Sequence, residues 1–225
     1  MSPFISVLMP VFNGEQFLNE AINSILEQTH QNFEFIIINN GSVDNTEQII
    51  KNYSDKRIKY YYKKNTGLVD ALNFGVELCT GEWIARFDSD DVAFRNRLEI
   101  QIKHIDTETV VIGSGADIID EYGVIISKLN QIPVHHNSII DNILNGRASI
   151  IHPTVLIRKE NLVSVEGYNK LFENAEDINL WLCITRTGKI KNIATSLIKL
   201  RKHNNNVSVI YLKEQTISGL LARYC

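Results

Sequence analysis

Apolar positions along the chain fall into short β-rich runs that alternate with stretches of helical spacing. Ile5-Ser6-Val7-Leu8-Met9-Pro10-Val11 is closed by the turn Phe12-Asn13-Gly14 and predicts a first strand. Behind it Phe17, Leu18, Ala21, Ile22, Ile25 and Leu26 recur at three- and four-residue steps, with Glu15, Asn19, Glu20, Asn23 and Glu27 between them. That is the pattern of an amphipathic helix. Residues 33–38 are apolar except for Glu34, as in a strand covered on both faces, and run into Asn39-Asn40-Gly41-Ser42. Asp44 is placed to cap a helix over 46–53, and residues 58–62 form a third strand. After Asn65-Thr66-Gly67 the spacing of Leu68, Ala71, Leu72, Gly75, Val76 and Leu78 predicts a third helix, stopped by Gly81. Trp83 to Phe87 is the fourth strand.

Strands alternating with helices predict an α/β fold with a mostly parallel central sheet and helices on both faces, in which ligands bind beyond the carboxyl ends of the strands. Four polar turns, each following a predicted strand, then converge on one rim. The second half is less regular. A helix is expected over 95–105, a strand over 110–112 and a hairpin over 116–126 around Gly123, which leaves the parallel pattern and makes a small antiparallel extension. A helix over 137–144, a strand over 150–157 interrupted by Pro153 and a helix starting at Glu176 complete the prediction.

With 225 residues, 44% hydrophobic and 22% charged, the chain has material for one large domain with a sizeable core. A net charge of -3 argues against a general nucleic-acid binder, which needs clustered Lys and Arg. Cys79, Cys183 and Cys225 are odd in number and lack C-x-x-C spacing, which fits a reducing compartment. No basic leader with an apolar core opens the sequence and no run approaches ~18 apolar residues, so a cytoplasmic protein is expected and the sequons at Asn40 and Asn206 are read as chance. A short amphipathic helix over 209–225, with Leu212, Ile217, Leu220 and Leu221 beside Lys213 and Arg223, is expected to pack on the domain; contact with a partner or with the inner face of a membrane are the alternatives.

The chemistry is concentrated where the fourth strand ends in Asp88-Ser89-Asp90-Asp91. Three carboxylates in four positions repel one another unless a cation neutralises them, and hard oxygen ligands suit Mg²⁺ or Mn²⁺. Strand alternation would put Asp88 and Asp90 on one side and Ser89 on the other, with Arg86 also facing Asp88. A solvated acidic turn is the simpler reading of such a stretch. A calcium loop of the EF-hand type is set aside because Val92 and Ala93 stand where it needs an oxygen ligand and a glycine. The first loop has neither G-x-G-x-x-G nor G-x-x-x-x-G-K-[ST], so a dinucleotide fold or a Walker nucleotidase is not supported. Glu176-Asp177 opens a helix, where carboxylates are favoured whatever the function.

Taken together, Ser6-Val7 with Pro10-Val11 and Asn13, Asn-Asn-Gly-Ser-x-Asp-x-Thr at 39–46, Asn65-x-Gly67 with Ala71-Leu72-Asn73-x-Gly75, and Ala85-Arg86-x-Asp88-x-Asp90-Asp91 resemble the family 2 glycosyltransferases of GT-A fold. The likeness continues through Arg97-Leu98-Glu99-x-Gln101, His152-Pro153-Thr154, Gly167-Tyr168, Ala175-Glu176-Asp177-x-x-Leu180-Trp181 and His203 with Asn206-Val207-Ser208. It implies a Rossmann-like GT-A domain over 1–208, with a nucleotide-sugar half (1–113) and an acceptor half (114–208). The donor would be a nucleotide-diphosphate-sugar held by Pro10, Val11, Asn13, Asn39, Asn40, Asn65, Gly67, Arg86, Asp88 and Ser89. Mn²⁺ or Mg²⁺ would bridge its pyrophosphate to Asp88 and Asp90, with His203 in reach, as a Lewis acid toward the leaving group. Asp177, with Glu176 ranked second, would deprotonate the acceptor hydroxyl, and one displacement inverts the anomeric carbon. His152 and Trp181 would lie on the acceptor side, although Trp181 also reads as a core residue. The acceptor would be a growing surface polysaccharide or a lipid-linked glycan.

The chain departs from the family at Asn39-Asn40, where two aspartates are common and one accepts a hydrogen bond from the donor's base. An amide accepts too, but it also donates and carries no charge. Two further readings follow. One is a catalytically silent nucleotide-sugar-binding module. The other is a sugar nucleotidyltransferase, which would want a glycine- and arginine-rich first loop that Val11-Phe12-Asn13-Gly14 does not supply.

Overall fold

In the computed structural model, which describes residues 2–147, 149–203 and 218–223, the sheet grows from β1 (Ile5–Val11). β1 pairs in parallel with β2 (Phe33–Asn39) on one edge and β4 (Trp83–Arg86) on the other, and β2 pairs in parallel with β3 (Ile58–Tyr62). Side-chain alternation sorts these strands between two apolar layers. Ile5, Val7, Met9 and Val11 point to one layer with Phe35 and Ala85, under α1 (Leu18–Leu26), α2 (Thr46–Lys51) and α4 (Arg97–Ile102). Leu8, Ile36, Ile38 and Ile84 point to the other, under α3 (Leu68–Leu78), α5 (His136–Leu144), α6 (Lys159–Ser164) and α7 (Glu176–Ile184). α1 shows how the sequence dictates this. Leu18, Ala21, Ile22 and Ile25 are fully buried at helical spacing while Asn19, Glu20 and Asn23 face out, and each large buried side chain contributes about 1.5–3 kcal/mol.

Beyond β4 the sheet becomes mixed. β8 (Leu156–Arg158) pairs antiparallel with β4, β6 (Thr109–Ile119) antiparallel with β8, and β9 (Lys189–Arg201) parallel with β6. β5 (Val92–Ala93) closes the far edge antiparallel to β9, giving the order β3-β2-β1-β4-β8-β6-β9-β5. β7 (Ile125–Leu129) folds back on β6 as the predicted hairpin around Gly123. The α/β class with helices on both faces therefore stands.

Several elements differ from expectation. Residues 110–112 and the first hairpin strand are one strand of 11 residues, because Gly113-Ser114-Gly115 does not break it. At Gly115 an added Cβ would lie 3.0 Å from the carbonyl oxygens of both Ala194 and Leu129, so the missing side chain is what lets β9 and β7 close on both edges. β9 and α6 have no counterpart among the predicted elements. β9 hides its period because its pairing with β6 slips around Ser114 and Gly115, where Ser114 faces Ile193 and Gly115 faces Ser196. Residues 150–157 are not one strand: Pro153 lies in a 3₁₀ turn (His152–Thr154) and only Leu156–Arg158 joins the sheet.

Asn206, Val207, Ser208, Cys225 and most of the predicted helix 209–225 lie outside the described residues. Within that helix, residues 218–223 are helical, and Nε of Arg223 donates to the Ile143 carbonyl at 2.8 Å, docking the turn on α5. No helix among the described residues is long and apolar enough to cross a membrane.

Candidate active site

The loops that leave β1, β2 and β3 are sewn to one another. Asn13, at φ 51°, accepts from the Val43 amide through Oδ1 (2.9 Å) and donates its own amide to Ser42 Oγ (2.9 Å). The Asn40 amide donates to the Val11 carbonyl at 2.8 Å. Asn40 Nδ2 then donates to Asn65 Oδ1 (3.4 Å) and to the Gly67 carbonyl (3.2 Å), while Asn65 Oδ1 also accepts from the Gly67 amide (3.1 Å). Gly41 (φ 76°) and Gly67 (φ 99°) hold backbone conformations that disfavour any side chain, and a Cβ on Gly41 would lie 2.7 Å from the Asn65 nitrogen. Pro10 and Val11, both buried in β1, form the floor of this rim.

The two asparagines act within the protein. Asn39 is fully buried; its Oδ1 accepts from the Ser42 amide (2.9 Å) and its Nδ2 donates to the Tyr60 hydroxyl (3.3 Å). Oδ1 of Asn40 is buried and has no hydrogen-bond partner among the described residues.

The acidic stretch does not continue the strand. β4 ends at Arg86, the Phe87 amide still donates to Leu8, and a turn follows in which the Asp91 amide reaches the Asp88 carbonyl at 3.4 Å. Alternation is therefore replaced by convergence: one carboxylate oxygen from each of Asp88, Asp90 and Asp91 lies within 4.8 Å of the others. The expected pair becomes a triad, with Asp91 buried beneath half-buried Asp88 and Asp90. Nη1 of Arg86 meets Asp88 Oδ2 at 2.5 Å, as the spacing predicts, and Nε2 of His203 lies 2.9 Å from Asp90 Oδ2. Asp91 Oδ1 accepts from the Arg201 amide (2.9 Å), whereas its Oδ2 is buried with no partner among the described residues. Burial, then the charges of Asp90 and Asp88, holds the Asp91 carboxyl well above the usual range; burial raises Asp88 too, against the opposing pull of Arg86. Crowded carboxylate oxygens and an unpaired buried acceptor match the ligand chemistry of Mn²⁺ or Mg²⁺. Ser89 sits on the first loop, its Oγ 3.5 Å from where a Cβ on Gly14 would be.

Arg86 shares its sheet face with Ile84, the face that α7 covers, and so lies between the acidic turn and the start of α7. It is 4% exposed, and its Nε has no partner among the described residues. Its charge opposes the burial that raises Asp177, as does the Ile178 amide, which donates to Asp177 Oδ1 at 2.8 Å. Asp177 is half-buried as a residue; Glu176 is buried, and burial, with the Asp177 charge adding to it, pushes it up to about 7.

Behind Glu176 lies a buried cluster. His152 Nδ1 is 4.0 Å from Glu176 Oε1, its Nε2 is 3.0 Å from the Tyr168 hydroxyl, and its ring meets Trp181 edge-on at 5.8 Å. Burial, then the Arg86 charge, holds the imidazole well below its ordinary pKa, so it is neutral at pH 7. Trp181 is 1% exposed and fills the core, where its ring presents no face to a sugar. Tyr168 is clamped by Asn73, which donates to its carbonyl (2.8 Å) and accepts from its amide (2.9 Å). Sequence reasoning assigned no role to Asp91 as a third carboxylate, to Tyr168 or to Arg201. The Arg201-x-His203 spacing, which puts two side chains on one side of an extended chain, is a signal that points to the last of these.

Against known proteins, the family model described as glycosyl transferase family 2 matches residues 6–172. The chain is 35% identical over 239 residues to the O-antigen biosynthesis glycosyltransferase WbnJ of Escherichia coli, covering 97% of this chain and 92% of that protein. An uncharacterized glycosyltransferase of Rickettsia conorii is 33% identical over 91% of this chain, which spans only 35% of that protein's length. Among solved structures, Staphylococcus aureus TarS residues 1–349 in complex with UDP-GlcNAc superposes with a TM-score of 0.75 at 19% identity, over 90% of this chain and 59% of that one. The mannosyltransferase PcManGT of Pyrobaculum calidifontis in complex with GDP-Man and Mn²⁺ gives 0.72 at 16% identity, over 100% and 64%. These two likenesses establish the GT-A fold.

Proposed function

Because the chain belongs to glycosyltransferase family 2, we propose that it transfers a sugar from a nucleotide-diphosphate-sugar donor to an acceptor hydroxyl, with inversion at the anomeric carbon and with Mn²⁺ or Mg²⁺ at the donor pyrophosphate. The observation that carries this reading is the convergence of Asp88, Asp90 and Asp91 beyond the carboxyl end of β4, with Arg86 between that triad and Asp177. The cation when bound supplies positive charge where the nucleoside diphosphate leaves. Asp88, Asp90 and Asp91 would hold it, with His203 beside Asp90.

Asp177 is the better base of the pair. Asp177 is half-buried as a residue where Glu176 is buried, and a raised proton affinity tempered by the Ile178 amide and Arg86 suits a group that takes a proton from a hydroxyl. Arg86 is placed to sense charge on both sides of the reaction. The donor half is assigned to residues 1–113 and the acceptor half to 114–208. A glycan or lipid-linked acceptor and a cytoplasmic setting, with peripheral membrane contact where the acceptor is lipid-linked, belong to the same proposal.

The test is thermal unfolding against a panel of nucleoside diphosphates, each with Mn²⁺ and with chelator. A ligand at ~100 times its dissociation constant adds about 2.7 kcal/mol. A base-selective, metal-dependent shift that Asp90→Ala abolishes is expected. Asp177→Asn should keep that shift and lose transfer by about 10²–10⁴-fold. No shift with any nucleotide would overturn the donor site.

A further inference from the structure

Arg201 ends β9 with its side chain almost wholly buried, at 2% exposure, and it binds three separate parts of the chain. Its backbone amide donates to Asp91 Oδ1 (2.9 Å) and its Nε donates to the Asp90 carbonyl (2.9 Å). Nη1 donates to the carbonyls of Asp120 and Glu121 in the turn that joins β6 to β7 (3.2 Å each), and Nη2 reaches Glu20 Oε2 on α1 (2.5 Å). The guanidinium lies 4.5 Å from the centre of the Phe17 ring, and that ring is also 5.1 Å from His203.

A guanidinium placed to neutralise the acidic turn would point at its carboxylates, as Arg86 does at Asp88. The Arg201 side chain instead takes a main-chain oxygen of the turn, and of the turn's carboxylates only that of Asp91 is taken, by the Arg201 backbone amide. It therefore fixes where the turn's backbone lies and leaves the Asp90 carboxylate beside His203. Three like charges on an unanchored turn would spread apart, since repulsion falls with distance. The fork of Nε and two Nη groups is needed to hold the turn, the hairpin and α1 at once, and a lysine offers a single point charge on a flexible stem.

We propose that Arg201 is the positioning residue of the divalent-cation site, locking the turn in the geometry in which Asp88, Asp90 and Asp91 converge. This rests on the metal-assisted reading of the site. Residues that orient ligands without touching the ion typically change metal affinity by about 10–100-fold when removed.

The test measures Mn²⁺ binding by the loss of the free-ion paramagnetic resonance signal, with UDP or GDP present, whichever gives the wild-type protein the larger thermal shift. The same nucleotide's affinity is measured in chelator. Arg201→Lys is expected to weaken Mn²⁺ binding by about tenfold or more while the chelator value stays within about twofold. Phe17→Leu, which removes the ring beneath both Arg201 and His203 but keeps an apolar side chain, is expected to weaken it less, and serves if Arg201→Lys does not fold. Glu20→Gln, which removes a charge but keeps an oxygen for Nη2, should leave Mn²⁺ affinity unchanged. Equal Mn²⁺ affinity in wild type, Arg201→Lys and Phe17→Leu overturns the positioning role alone, as does a parallel loss of both affinities. A wild-type protein that takes up no Mn²⁺ overturns the metal reading and this proposal with it.

Discussion

His203 and Asp90 stand 113 residues apart in the chain and 2.9 Å apart in the structure, imidazole Nε2 to carboxylate Oδ2. β9 makes this contact possible. It pairs along β6 and against β5, and so returns the chain to the turn that β4 and β5 flank. If the imidazole shares the cation with Asp90, His203→Ala should leave folding nearly intact, since the side chain is only partly buried. It should lower Mn²⁺ affinity by about tenfold or more. Titrating Mn²⁺ into both proteins by calorimetry checks this, and equal affinities would remove His203 from the site.

Asp91 is buried, its Oδ2 has no partner among the described residues, and it faces two like charges. Asp91→Asn removes the repulsion and keeps an oxygen for the Arg201 amide. The variant should therefore melt above wild type in chelator, by ~2–4 °C for each kcal/mol gained in a chain of this size. It should also lose the stabilisation that Mn²⁺ gives wild type. A variant that melts lower in chelator would show that the turn is not under electrostatic strain.

Glu176 carries a pH signature of defined sign. Burial raises its pKa from the ordinary 4.5 to about 7, so between those values the folded chain holds a proton there that the unfolded chain has released. Stability from this group is fully present below pH 4.5 and is lost as pH rises toward 7 and beyond. Glu176→Gln cannot release that proton. Urea unfolding of both proteins at pH 5 and pH 8 should show the variant gaining relative to wild type at the higher pH, on the order of 1.4 kcal/mol for every tenfold by which burial tightens the proton's hold. A difference independent of pH would refute the perturbed carboxyl.

Asn40 donates to two acceptors, Asn65 Oδ1 and the Gly67 carbonyl, and an aspartate there would turn a carboxylate on both. Asn40→Asp should destabilise the protein by about 1–3 kcal/mol. Asn65→Ala, made together with it, should recover part of the loss in a double-mutant cycle. An Asn40→Asp protein as stable as wild type would mean that the amide's donors do not hold the loop.

The parallel half was legible because each of its elements is self-contained. β1 and β3 have the boundaries that the apolar runs predict, and α3 starts just after Gly67 as expected, although it ends at Leu78 with Cys79 turning into extended backbone, ahead of the expected stop at Gly81. Arg86 beside Asp88 was legible for the same reason, as a two-residue step on an extended chain. The acidic turn was only half legible: its charge was plain, but its convergence depends on the chain leaving the strand after Arg86. Trp181 could be read two ways, and the packing of His152 and α7 decided for the core.

The sequence by itself determined the family, the α/β order, the rim of polar turns and the residue types gathered there, because those depend on period, turn chemistry and neighbours a few positions away. Only the tertiary structure decided that Asp91 completes the triad, that Asn39 and Asn40 brace loops, and that β9 brings Arg201 and His203 onto the turn. The triad depends on the chain leaving the strand after Arg86, and the contacts of Asn40, Arg201 and His203 are long-range pairings, set by strand register and by which carbonyls and amides lacked partners once the sheet had closed. A period of two or of 3.6 residues carries no record of that.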